Sequence, residues 1–210
     1  MRYSLFVLSA CLATACSSPD SRLAPLRNAT LTPGKGLGTL QLGVTTFAAI
    51  VKSYGSGVVL PVAGDEQAWE LSYEGGQLAL MFIVTGDCKE KVSGQRLAGA
   101  DGLDALFARV PACGDLTLSS INVRGGSSKG SGWFTGKTDR GVSLWSPIDS
   151  VHVYGDPQNG PGRFVAGSRM RRPEERIDYT EGVYFYYDRA GGAQSNAGLV
   201  KEITVFLPEP

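Results

Sequence analysis

Leu42-Gly43-Val44-Thr45-Thr46-Phe47-Ala48-Ala49-Ile50-Val51-Lys52-Ser53-Tyr54-Gly55 carries both end signals of a short amphipathic helix. A capping threonine opens it, Phe47, Ile50, Val51 and Tyr54 recur at helical spacing, and Gly55 stops it. A second stretch has the same design: Leu144-Trp145-Ser146-Pro147-Ile148-Asp149-Ser150-Val151-His152-Val153-Tyr154-Gly155. There Ser146 is the expected cap, Pro147 takes the first helical position, and Ile148, Val151 and His152 share the apolar face. Both stretches end in Tyr-Gly.

A hairpin pattern follows each one. Trp69, Leu71 and Tyr73 alternate before Glu74-Gly75-Gly76-Gln77, and Leu78 to Val84 runs on as a buried strand. In the second half Ile177 to Tyr179 precede Thr180-Glu181-Gly182, and Val183-Tyr184-Phe185-Tyr186-Tyr187 follows. Closing strands are expected at 118–123 and 200–205. The pattern predicts an α+β fold of two tandem units, each a helix on an antiparallel sheet, spanning 33–124 and 135–210 with a Gly/Ser joint at 125–134. Phe47 and Ile148 are the side chains expected to pack beneath the sheet. The first unit carries an insertion, 86–115, with a helix from Asp101 to Arg109 that aligns Leu103, Leu106, Phe107 and Val110.

The run Gly36-Leu37-Gly38-Thr39-Leu40-Gln41-Leu42-Gly43-Val44-Thr45, with Tyr54-Gly55 downstream, resembles the opening of small envelope lipoproteins of the SmpA/OmlA kind. The resemblance implies a turn that starts a helix packed on a three-stranded antiparallel sheet. Two such units in tandem are similar in plan to β-lactamase inhibitory proteins.

The N-terminus gives an address. Behind Arg2, the segment from Leu5 to Cys16 has an apolar stretch followed by Ala13 and Ala15, the order of a secretory signal and too short to span a bilayer. Ala13-Thr14-Ala15-Cys16 resembles the lipobox of bacterial lipoproteins, which implies a signal peptide at 1–15 and acylation (palmitate) of Cys16. Leu8-Ser9-Ala10-Cys11 fits that consensus better and is the rival site. Cleavage there would leave too short an apolar core and an odd thiol. Cleavage before Cys16 leaves Cys88 and Cys113, an even pair expected to form a disulfide after export. Closing that loop would contribute roughly 3 to 4 kcal/mol in the chain-entropy model. Ser17, in place of the Asp that retains such lipoproteins at the inner membrane, implies the outer membrane, facing the periplasm or the surface. The polar stretch to about Thr32 then reads as a tether, 16–32.

Composition narrows the classes further. Of 210 residues, 20 are basic and 20 acidic, so no field draws the chain to nucleic acid. Twenty-eight glycines among aromatic and β-branched runs fit a strand-rich, turn-rich domain.

Catalytic patterns fail on their context. Gly136-Lys137-Thr138 ends like a phosphate loop, but Ser131 stands where the loop needs glycine. Gly126-Ser127-Ser128-Lys129-Gly130 spells a nucleophile elbow, with Asp149 and His152 in hydrolase order, yet it lies in a Gly/Ser linker instead of between strand and helix. His152 is the sole histidine, so His-rich zinc sites are out of reach. Asp65-Glu66 and Glu174-Glu175 are adjacent loop carboxylates, which diverge. No catalytic residue, metal or cofactor is expected.

Two features suggest binding. Arg163, Arg169, Arg171, Arg172 and Arg176 cluster in one loop, with guanidinium forks suited to lipid head groups, lipopolysaccharide or an acidic partner. Tyr184 and Tyr186 fall on the strand face opposite Val183, Phe185 and Tyr187, and with Trp145 would make an aromatic patch of the sort interfaces favour. The sequence therefore predicts a non-catalytic, lipid-anchored envelope protein whose sheet surface binds an envelope protein. A module binding small ligands or glycans through Trp69, Trp145 and the tyrosines, and an inhibitor of a periplasmic enzyme, are the alternatives.

Overall fold

The computed structural model describes residues 20–62, 68–92, 99–158, 176–188 and 198–208. The signal segment and Cys16 lie outside them. The fold is α+β, built on one antiparallel sheet of seven strands: β4 (Val58–Val62), β5 (Ala68–Tyr73), β6 (Leu78–Ile83), β7 (Leu118–Arg124), β9 (Arg176–Tyr179), β10 (Val183–Asp188) and β11 (Leu199–Phe206). Their spatial order is β4-β5-β6-β7-β11-β10-β9. The strands assigned to the two expected units thus lie side by side in a single sheet. The closing strands β7 and β11 pair across the middle, with Ile121 opposite Val205 and Val123 opposite Ile203.

Period-two alternation gives the sheet two unlike faces. One carries Leu71, Leu78, Leu80, Phe82, Ile121, Val123, Ile203, Val205, Val183 and Phe185, all fully buried. The helical segments cover this face. Helix α2 (Phe47–Tyr54) forms as its sequence dictates: the Thr46 hydroxyl accepts from the Ala49 N–H, and Gly55, at φ 91°, returns its N–H to Val51. Phe47 then stacks on Phe82 at 4.5 Å and meets Trp69 at 5.9 Å.

The second segment departs from expectation. Ile148–Tyr154 is a 3₁₀ helix, and its three-residue period buries Ile148, Val151 and Tyr154 while turning His152 out to solvent. Ser146 does not cap it. Its hydroxyl instead accepts from the Ser143 N–H, and Pro147 occupies the cap position.

The insertion folds as α3 (Gly86–Val92), α4 (Gly99–Arg109) and the short α5 (Pro111–Gly114). Leu103, Leu106 and Val110 are buried, and Phe107 is half-buried, edge-on to Phe47 at 5.2 Å. A disulfide joins Cys88 of α3 to Cys113 of α5, with Cα atoms 4.9 Å apart and both residues fully buried.

Two segments expected to be loose are folded. Residues 20–32, read as part of a tether, form α1 (Asp20–Arg27) and β1 (Thr30–Thr32), because Leu23, Leu26 and Leu31 supply apolar anchors that the polar average hides. Strand β1 belongs to a small second sheet, β3-β2-β1-β8, completed by β2 (Gly36–Leu37), β3 (Leu40–Gln41) and β8 (Lys137–Thr138). Its strands, two or three residues long, are too short to carry an alternation in the sequence. The Gly/Ser joint is a fastened turn: Gly125 donates to the Lys201 carbonyl, Gly126 to Ser131, and the Ser131 hydroxyl to Ser128. A Cβ on Gly125 would lie 2.7 Å from the Trp145 ring, so glycine there is a packing requirement.

Candidate functional site

The helix-free face of the sheet carries the polar chemistry. Register lines its side chains into rows that cross the strands. One row runs Asp178, Tyr184, Thr204, Asn122, Ala79, Ser72 and Val58; a second runs Arg176, Tyr186, Glu202 and Arg124; a third runs Phe206, Ser120, Met81, Glu70 and Leu60.

Over β9–β11 this face is tightly knit. The Arg176 guanidinium lies 3.8 Å from the Tyr184 ring centre and 5.8 Å from that of Tyr186, and it forms an ion pair with Asp178. Tyr184 also meets Tyr186 edge-on at 5.6 Å and packs on Phe206 at 5.8 Å. Burial pushes the Tyr184 phenol up to about 12, against a hydrogen bond from Thr204 that lowers it. Burial would lower the Arg176 guanidinium, but the Asp178 bond and the facing tyrosines leave it raised.

At the centre, Asn122 donates through Nδ2 to Glu202 at 2.6 Å and to Thr204 at 2.5 Å. A carboxylate only accepts, so the amide nitrogen must face it. Asn122 Oδ1 is buried and accepts no hydrogen bond among the described residues. Arg124 Nε stands 3.3 Å from Glu202, and its other end reaches Glu70 at 4.0 Å, so one cation is shared by two carboxylates. Over β4–β7 the face opens: Arg124 is about one-third exposed, and Val58, Leu60 and Ile83 are 60%, 47% and 42% exposed.

The residues singled out in the sequence fall into different settings. Tyr184 is half-buried and Tyr186 only 5% exposed, so the first contributes surface and the second serves mainly as support. Trp145 is half-buried against the fastened turn. It sits at φ 67°, uncommon for a bulky side chain, held by its N–H to Val200 and its indole N–H to Ser131. Trp69 is core. Arg169, Arg171 and Arg172 lie outside the described residues; Arg176, from the same cluster, is the one placed on the tyrosines. Asn122, Arg124, Glu202 and Thr204 were not anticipated. Their signal was the alternation Ile121-Asn122-Val123-Arg124 and Glu202-Ile203-Thr204-Val205, which marks the second face of paired strands.

Among the described residues no group of three His, Cys, Asp or Glu side chains stands close enough to hold a metal, and no helix is long and apolar enough to cross a membrane. Comparison with protein-family models, with curated proteins and with solved structures returns no match in any of the three.

Proposed function

We propose that this chain is a non-catalytic, lipid-anchored envelope protein, carried on Cys16 at the outer membrane, that binds another envelope protein through the helix-free face of its sheet. The observation that carries this reading is the Arg176, Tyr184 and Phe206 cluster beside the shared Arg124. Arginine and tyrosine dominate protein interfaces energetically, and here their rotamers are already held by stacking and ion pairing, which lowers the entropy lost on docking. The likeness to small SmpA/OmlA-type lipoproteins and to tandem inhibitory proteins belongs to the same proposal. A small-ligand site would draw on Trp69 and Trp145, but the first is core and the second has its indole N–H bonded to the Ser131 carbonyl and Lys201 Nζ over its ring at 5.1 Å.

Capture of the anchored protein from detergent-solubilised envelopes, with Ser120→Arg beside it, tests the reading. Ser120 lies between Phe206 and Met81 in the third row and is partly exposed. A long cation there would obstruct a docked partner while leaving the core untouched. The expected result is a specific co-purifying protein that Ser120→Arg loses and Val153→Arg, on the exposed side of the 3₁₀ helix, retains. Equal capture by both variants sinks the proposed face.

A further inference from the structure

The exposed apolar side chains of the helix-free face are not scattered. Val58 and Leu60 alternate along β4, the outermost strand, and Ile83 lies across from Ala68, which pairs with Val62 at the end of the same strand. Val58 and Leu60 also rim a groove of about 460 Å³ whose wall includes Leu23 of α1. Leu23 is three residues past Asp20, roughly 4.5 Å along the helix axis. Only Ser17, Ser18 and Pro19 separate Cys16 from Asp20, a reach of at most about 14 Å even fully extended. A lipid on Cys16 is therefore held within about 20 Å of the groove, whereas the seven-stranded sheet is about 29 Å wide at some 4.8 Å per strand step.

We propose that the β4 end of the helix-free face, through Val58 and Leu60, rests against the lipid bilayer beside the anchor, so that the sheet leans on the membrane by this end with β9 farthest from it. The proposal relies on the lipid-anchor reading above. The folding of residues 20–32 is what makes it sharp, because a long tether would leave the orientation free and three residues do not. The charges near the contact are compatible with it. Glu70 in the groove is matched by Arg124, and Arg22, exposed on α1, adds a cation near headgroup level. A second copy pairing strand to strand is disfavoured by Pro61 within β4, since proline removes an N–H from the edge.

The test uses the full processed protein in phosphatidylethanolamine/phosphatidylglycerol vesicles, with a nitroxide on Val58→Cys, Leu60→Cys or Val153→Cys. All three parent side chains are exposed, so the labels should not unfold the chain, and a melting scan checks this. The expected result is a several-fold rise in collisions with oxygen relative to an aqueous nickel chelate at 58 and 60, with 153 unchanged. Equal aqueous accessibility at all three sites, with an intact lipid mass on the N-terminal peptide, overturns the docking while leaving the anchor in place. Absence of that lipid mass overturns both. Strong spin–spin coupling between labels at 58 would assign the edge to a second copy instead.

Discussion

The two blocks of the sheet meet at the β7–β11 pair and follow a similar order of elements, yet they fill their interiors by different means. Beneath β4–β7 lies a helix with both caps made, and Phe47 inserts among Phe82, Trp69 and Phe107. Beneath β9–β11 lies a 3₁₀ turn without a side-chain cap, and its lead aromatic is Tyr154, against Tyr179 and Phe185. The Tyr154 hydroxyl donates to Asp139 at 2.8 Å and its ring lies under Arg140 at 4.7 Å. The helix-free face differs as well, apolar and open at the β4 edge but closed by arginine and tyrosine over β9–β11. The first block rests on apolar mass and a covalent staple, the second on tyrosines whose rings are buried and whose hydroxyls must be accommodated. Stability should therefore respond to cavities in the first and to protonation in the second.

The largest effect is expected from Phe47→Ala, which empties the middle of the first aromatic cluster and should cost about 3–5 kcal/mol. Ile148→Ala beneath the second block should cost about 2 kcal/mol, the low end for such truncations, since Ile148 retains 8% exposure where Phe47 has none. Urea denaturation of both variants measures the gap, and equal losses would break the contrast. Next in size is the disulfide. Replacing Cys88 and Cys113 together by Ala should cost about 3.5 kcal/mol, the chain-entropy value for opening a 25-residue separation, and should leave the sheet's circular dichroism intact because the bridge spans only the insertion. Loss of the sheet signal at room temperature would show that the insertion organises the first block and is not merely added to it.

How much of this was legible follows from which signals are local. Helix α2 was readable because Thr46 and Gly55 mark its ends and the 3.6-residue period is clean. The hairpin at Thr180-Glu181-Gly182 was readable because Gly182, at φ 86°, leaves no room for a side chain beside the Phe206 carbonyl. Ile148–Tyr154 misled because the residues buried by a period of 3 and by one of 3.6 coincide at 148 and 151 and diverge only at His152 and Tyr154. The stretch 20–32 misled because three leucines among polar neighbours carry no period, and their burial comes from distant partners. Tight pairing of Arg176 with Tyr184 was foreshadowed only in parts, as an arginine cluster and as a tyrosine run. What brought them together is the β9–β10 register, which no local pattern contains.

The smallest effect is the one that separates the blocks by chemistry. Tyr179 is 1% exposed, and burial pushes its phenol from near 10 up to about 12; Tyr184 is raised to about 12 as well, and Tyr154 is raised further by burial and by Asp139. In the first block burial raises Tyr73 in the same direction. A raised phenol binds its proton more tightly folded than unfolded. Its contribution is therefore complete below pH 10 and is lost as pH climbs from 10 toward 12, at about 1.4 kcal/mol per pH unit for each such group. Denaturation at pH 9, 10 and 11 should show a flat segment followed by a fall. Tyr179→Phe isolates one group within that fall. Its hydroxyl is buried and has no hydrogen-bond partner among the described residues, so its removal should leave stability at pH 7 unchanged or slightly higher, and it should flatten the decline above pH 10 by one group's slope. Tyr73→Phe deletes a phenol that donates to the Gly55 carbonyl at 2.6 Å, so it should cost about 1 kcal/mol at pH 7 through that bond. The two substitutions differ by a single oxygen's surroundings. Equal behaviour at neutral pH would mean the Tyr179 hydroxyl is bonded after all, and the contrast between an apolar first block and a proton-sensitive second would lose its sharpest support.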